Sequence, residues 1–148
     1  MKKLGLIIAL VISTNVFAQI LDPVKWTTSV NMISDTEYEL VTTASIDDEW
    51  HLYSQTVPDD GPIPTSFVYE GNGKYLKKGN TKEDQGHTID DPVFGMKIKY
   101  FGNKAIFKQS IKLKAKGVFV INAVVEYMVC NDTQCLPPTE VDLAFEIK

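Results

Sequence analysis

Arginine is missing from all 148 residues, so the 15 basic side chains are lysines, set against 19 Asp and Glu for a formal net charge of −4. An acidic chain without the bidentate guanidinium fork lacks both the electrostatic footprint and the phosphate geometry of a nucleic-acid binder. Cysteine and histidine are scarce, two of each and never clustered, so no metal centre and no cofactor is expected. A glycine-rich phosphate loop is lacking too. The acidic runs Asp47-Asp48-Glu49, Asp59-Asp60 and Asp90-Asp91 have no calcium-ligand spacing and read as solvated turns. No stretch of about twelve residues shows a 3.6-residue period, which leaves no helix to expect.

Long apolar runs are equally rare, and the one at the N-terminus has a distinct layout. Met1-Lys2-Lys3 precedes nine apolar residues, Leu4 to Ile12, then polar Ser13-Thr14-Asn15 and Val16-Phe17-Ala18. A basic start, a short apolar core and a small-residue triplet are the parts of a secretory signal peptide. The run is about half the ~20 residues a membrane span needs. Residues 1–18 are therefore expected to be removed, leaving residues 19–148 as one exported domain. That removal takes two lysines and no acid, so the mature chain is more acidic still. A bacterial periplasm is the expected destination, a compartment in which a cysteine pair can be oxidised.

What the mature chain does have is period-two alternation. Tyr38, Leu40, Thr42, Ala44 and Ile46 share one face of an extended segment. Ala105, Phe107, Gln109, Ile111 and Leu113 share another, and Phe119, Ile121, Ala123, Val125, Tyr127 and Val129 form the longest stripe. Val24–Met32, Trp50–Gln55, Thr65–Glu70 and Glu140–Ile147 are further strand candidates. Turn signals fall at Asp59-Asp60-Gly61-Pro62, Gly71-Asn72-Gly73, Lys78-Gly79-Asn80 and Gly102-Asn103. Roughly seven short strands point to an all-β fold, an immunoglobulin-like antiparallel β-sandwich, with a small closed barrel as the alternative. Asn80 to Pro92 is polar, lacks alternation and reads as a long loop ending in the apolar tip Val93-Phe94-Gly95-Met96.

Cys130 and Cys135 flank Asn131-Asp132-Thr133-Gln134, a natural four-residue hairpin loop. Facing positions in an antiparallel pair lie roughly 4.5–5.5 Å apart at Cα, which a disulfide tolerates. Pro137-Pro138 removes ladder donors just beyond and puts this end of the strand at a sheet edge, where another protein can reach the sulfurs. Two readings stand side by side. One is a local staple, worth only ~2 kcal/mol for so short a loop in the chain-entropy model. The other is an exchangeable dithiol. The loop holds no cation, and Asp132 disfavours a thiolate, so the pair reads as an unactivated shuttle awaiting a partner's thiolate. His51, in a strand, and His87, in the polar segment, read as core-edge or solvent histidines, and Trp26, Trp50 and Tyr53 as packing.

Tyr127-Met128-Val129-Cys130, the short loop and Cys135-Leu136-Pro137-Pro138-Thr139 together resemble the active-site hairpin of the N-terminal periplasmic domain of the thiol:disulfide interchange protein DsbD. Trp50-His51-Leu52-Tyr53 is similar to that family's aromatic strand, and Asp91-Pro92-Val93-Phe94-Gly95 to its cap loop. The resemblance spans roughly Leu21 to Lys148. It implies an immunoglobulin-like fold and electron transfer through Cys130 and Cys135 as the catalytic pair, Cys135 forming the intermolecular bond and Cys130 resolving it. It implies a cap loop containing Asp91, Val93, Phe94 and Gly95. Val93 aligns with the family's cap aromatic when counted back from Gly95, and Phe94 is the aromatic candidate present. The implied partners are a thioredoxin-like protein or domain fed by a membrane electron transporter, and, as acceptor, a periplasmic disulfide isomerase or cytochrome-maturation protein. The membrane-embedded and thioredoxin-like parts are absent from this sequence, which is expected to be either a free-standing domain, with a separate protein as its donor, or a piece of a longer protein. The rival from another class is a noncatalytic exported immunoglobulin-like binding or adhesion module with a structural disulfide.

Overall fold

Alternating apolar residues build the two faces of a sandwich in the computed structural model, which describes residues 21–148. The expected signal peptide, residues 1–18, lies outside the described residues. Eleven strands pair antiparallel throughout: β1 (Val24–Met32), β2 (Glu37–Ile46), β3 (His51–Tyr53), β4 (Ser66–Tyr69), β5 (Tyr75–Glu83), β6 (His87–Asp91), β7 (Met96–Phe101), β8 (Lys104–Leu113), β9 (Phe119–Tyr127), β10 (Val129–Cys130) and β11 (Thr139–Ile147). They form three sheets, ordered β1-β2-β8-β5, β10-β3-β7-β6 and β11-β9-β4. Among the described residues no helix is long and apolar enough to cross a membrane.

The first sheet packs on the other two. Tyr38, Leu40, Tyr75 and Ile111 from it meet Phe119, Ile121, Val125, Leu143 and Phe145 of the third sheet. Ala44, Ile46, Ala105 and Phe107 meet Leu52, Phe101 and Val129 of the second. Complete burial of a large apolar side chain is worth ~1.5–3 kcal/mol, so these two clusters supply most of the driving force. The fold is the immunoglobulin-like antiparallel sandwich, and its sheets end in open edges rather than closing into a barrel.

The expected loop over 80–92 is not a loop. Most of it is strand, the end of β5 and all of β6, joined through 84–86. Each strand is the edge of its sheet, so it needs no continuous apolar face, and alternation fails as a signal there. Lys78-Gly79-Asn80 is likewise no terminating turn. It lies inside β5, where the register against β8 shifts between Lys78 and Lys82, and Gly79 supplies a φ of 68° for the bulge. Met96, Ile98 and Tyr100 alternate with lysines to build β7, a further strand absent from the sequence expectation. The stripe over 119–129 is broken at Met128, which passes the chain from β9 in one sheet to β10 in another. That crossing carries the cysteines onto the outer side of the second sheet.

Candidate functional site

β10 ends its sheet's strand order beside β3, with Val129 opposite Leu52 and Cys130 opposite His51. Its loop is shaped by one side chain. Asn131 Oδ1 accepts from Thr133 N and Oγ1, both at 3.0 Å, and from Gln134 N at 2.9 Å, an Asx turn that needs no glycine. Asn131 N donates to Gln134 O at 2.9 Å, and Leu136 N to Val129 O at 3.0 Å. Cys130 and Cys135 therefore face each other across the hairpin, disulfide-bonded, with Cα atoms 4.0 Å apart, a little closer than the spacing expected from sequence. The bridge is asymmetric. Cys130 is 1% exposed, whereas Cys135 is only partly buried.

Because Leu52, Phe101 and Val129 point into the sandwich, the alternate residues point outward. Tyr53, Ile98 and Cys130 form a third buried cluster there, joined by Val57, Phe94, Met96, Tyr100, Met128 and Cys135. Two segments cover it. The first leaves β3 at Ser54 and returns at Thr65, closed by Thr65 N to Ser54 O at 3.2 Å and Thr65 Oγ1 to Tyr53 O at 2.6 Å. Ile63 N lies 3.5 Å from Met128 Sδ, which seats the segment beside the hairpin. The second is the turn 92–95 between β6 and β7.

That turn is organised by Asp91, 3% exposed. Its Oδ1 accepts from Val93 N at 2.9 Å and Phe94 N at 3.1 Å, and its Oδ2 from the Tyr53 hydroxyl at 2.8 Å. Gly95 N donates to the Asp91 carbonyl at 2.8 Å, and Gly95 takes a φ of 65° that glycine adopts without strain. The apolar tip residues then part company. Phe94 sits edge-on to Tyr53, ring centroids 5.9 Å apart, whereas Val93 is 44% exposed. Of the two, Phe94 is packed in the cluster that holds the cysteines.

Electrostatics hold the cover in place. Burial, then the bond to Asp91, raises the Tyr53 phenol well above its ordinary value, so it stays a neutral donor. At the end of β5, Glu83 accepts from Ser54 Oγ at 2.5 Å, Gln55 N at 2.8 Å and Lys99 Nζ at 2.8 Å. Burial alone would raise the Glu83 carboxyl; the bonds from Gln55, Lys99 and Ser54 outweigh it and hold the carboxyl below its usual value. Glu83 thus fastens the start of the covering segment to the edge of the first sheet. Among the described residues no metal-ligand cluster occurs.

Tyr53 and Met128 fall within the motifs that carry the resemblance, whereas Met96 and Glu83 belong to this site by position and are not marked by any motif of their own. Contacts between segments far apart in the chain bring them there, Met96 on β7 and Glu83 through its bonds to Ser54 and Gln55.

The family described as the N-terminal part of thiol:disulfide interchange protein DsbD matches residues 18–146. Among solved structures, the chain is similar to the N-terminal periplasmic domain of ScsB from Proteus mirabilis, with a TM-score of 0.57 and 14% identity. That likeness, one of fold, covers 82% of this chain and 44% of the other, so the chain spans under half the length of that relative. It is also similar to the Neisseria meningitidis DsbD N-terminal domain in the reduced form, at a TM-score of 0.46 and 17% identity, covering 79% of this chain and 82% of that one. Comparison with curated proteins finds no match. With nearly its whole length matched, the chain belongs to the family of N-terminal domains of the thiol:disulfide interchange protein DsbD.

Proposed function

We propose that residues 19–148 are an exported periplasmic domain that carries electrons through Cys130 and Cys135 by thiol–disulfide exchange. The observation that carries this reading is the asymmetry of the bridge: one sulfur belongs to a buried residue, the other to a partly exposed one, at a sheet edge and in the same cluster as Phe94. A thiolate of a thioredoxin-like donor attacks Cys135 Sγ, the Cys130–Cys135 bond breaks, and Cys130 leaves as a thiolate and takes up a proton. The donor's second thiol then attacks the mixed disulfide. The donor ends as a disulfide and this domain as a dithiol, two electrons having moved. Toward an acceptor the order reverses: the Cys135 thiolate attacks the acceptor's disulfide, and Cys130 resolves the intermediate.

Phe94 acts as a lid on this chemistry. Small thiols are kept from the bridge, and a docking partner opens it by replacing the contacts that Phe94 makes with the third cluster. Asp91 shapes the lid through its bonds to Val93 N and Phe94 N, Gly95 closes the turn, and Val93 faces the partner. A membrane electron transporter supplies the donor indirectly, and a disulfide isomerase or cytochrome-maturation protein is the acceptor. The rival, a binding or adhesion module, gives the bridge only a stapling task. A link between residues the hairpin already holds together contributes ~2 kcal/mol at most by chain entropy.

Trapping tests the proposal. A Cys130→Ala chain expressed in its host accumulates mixed disulfides through Cys135 with a thioredoxin-like protein. Recovery of monomeric thiol alone, from a folded variant, contradicts it.

A further inference from the structure

The sequence holds two histidines, and both lie on one tyrosine beside the disulfide. The His51 ring is 4.2 Å from Tyr100, centroid to centroid, and the His87 ring 6.0 Å. His51 is also the ladder partner of Cys130. Directly opposed residues share a face with Cβ atoms about 4.5–5.5 Å apart. β3, which carries this imidazole against Tyr100, thus lies between β7 and the strand of the buried cysteine, β10. We propose that His51 is a positioning residue for exchange at this bridge: its imidazolium stabilises the Cys130 thiolate released when Cys135 is attacked. The inference rests on the exchange reading above and names the group that tunes it.

The charged groups around the imidazole are mostly acidic or engaged elsewhere. The hairpin loop offers only Asp132, exposed and anionic. Asp47, Asp48 and Glu49 precede β3 and add negative charge on its approach. Asp91 lies at the far end of β6, occupied by Tyr53, Val93 and Phe94. Tyr53 is a neutral donor. Lys97 and Lys99 alternate with the outward residues of β7 and point to its other side, Lys97 toward Asp90 and Lys99 to Glu83. Among the described residues, the side chains of this sheet's outer face able to carry a positive charge are therefore His51 and, behind Tyr100, His87. Imidazole is the side chain whose charge changes between pH 5 and 8. A better-stabilised leaving thiolate departs faster. Exchange at this bridge, counted per attacking thiolate, therefore slows as pH rises through the imidazole range.

The test uses dithiothreitol as the attacking thiol on the oxidised chain, with rates read by acid quench and alkylation and divided by the thiolate concentration at each pH. The parent falls about threefold from pH 5.5 to 8.5, an effect of the size leaving-group sensitivity allows. His51→Gln stays flat at the slower rate, and His51→Lys, a permanent cation, stays flat at the faster one. A merely structural histidine moves neither profile. A flat parent, or a His51→Gln variant that keeps the parent's fall, overturns the inference while leaving the exchange reading intact. Should either variant fail to fold, the other and the parent profile still decide. Failure to trap a partner through Cys135, with the profile as expected, sinks the exchange reading alone.

Discussion

The Tyr53 hydroxyl donates to Asp91 Oδ2 at 2.8 Å, and both residues are buried. This bond ties the strand beside the disulfide to the turn that carries Phe94. The same carboxylate fixes that turn with its other oxygen, so the turn and the strand beside the disulfide are joined through one side chain. Tyr53→Phe removes the donor and leaves a buried carboxylate oxygen short of a partner. Hydrogen bonds to charged groups are worth ~1.5–3 kcal/mol, and urea denaturation is expected to show a loss in that range. A loss under ~0.5 kcal/mol contradicts the bond's assigned weight.

Phe94→Ala opens the cover without touching the Asp91 bonds. Reduction by small thiols is expected to accelerate severalfold. The loss of the edge-on contact with Tyr53 costs about 1–2 kcal/mol of stability, aromatic pairs being worth ~0.5–1.5 beyond their area. Val93→Ala, at the exposed neighbour, leaves the rate unchanged. Equal rates in parent and Phe94→Ala remove the lid from the account.

Glu83 gives the fold an acid limit. Its folded carboxyl is held below its ordinary value of 4.5. A depressed carboxyl contributes stability that is fully present above the ordinary value and is lost as pH falls through the folded one. Stability is therefore expected to drop below about pH 4.5, beginning with the segment that Glu83 fastens at Ser54 and Gln55. Glu83→Gln lowers stability at pH 7 by ~1–3 kcal/mol and makes the curve shallower on the acid side. Denaturation midpoints across pH 3 to 7 that run parallel in the two proteins exclude this role.

Gly86 joins β5 to β6 at a φ of 63°, and a Cβ there would lie 2.8 Å from the Tyr100 carbonyl oxygen and 2.9 Å from the Phe101 ring. The backbone oxygen cannot give way cheaply. Gly86→Ala is expected to destabilise by well over ~1 kcal/mol. At Gly95 the added Cβ meets open space, so Gly95→Ala pays only the left-handed strain of ~1–2 kcal/mol. Thermal melts in which Gly86→Ala is the milder change contradict the packing described.

Five of the six long strands were legible from their alternation: Val24–Met32 matches residue for residue, and β2, β8, β9 and β11 lie within a residue or two of their stripes. The hairpin at Cys130 was legible because Asn131 and the two prolines act locally. What escaped was non-local. β5 and β6 are edge strands whose polar sequence carries no period, and Asn80 to Pro92 therefore read as a loop. The Cys130–His51 register, the Tyr53–Asp91 bond and the Glu83 cluster each join segments far apart in the chain. No spacing rule relates Glu83 to Ser54; only the sandwich brings them together.

The reduction potential of the Cys130–Cys135 pair, measured at pH 7 by equilibration against a glutathione buffer, tests the central claim most directly. An exchangeable bridge is expected at about −180 to −230 mV, within reach of thioredoxin-like donors and acceptors. A value below about −300 mV, where structural disulfides lie, contradicts electron carriage by this domain.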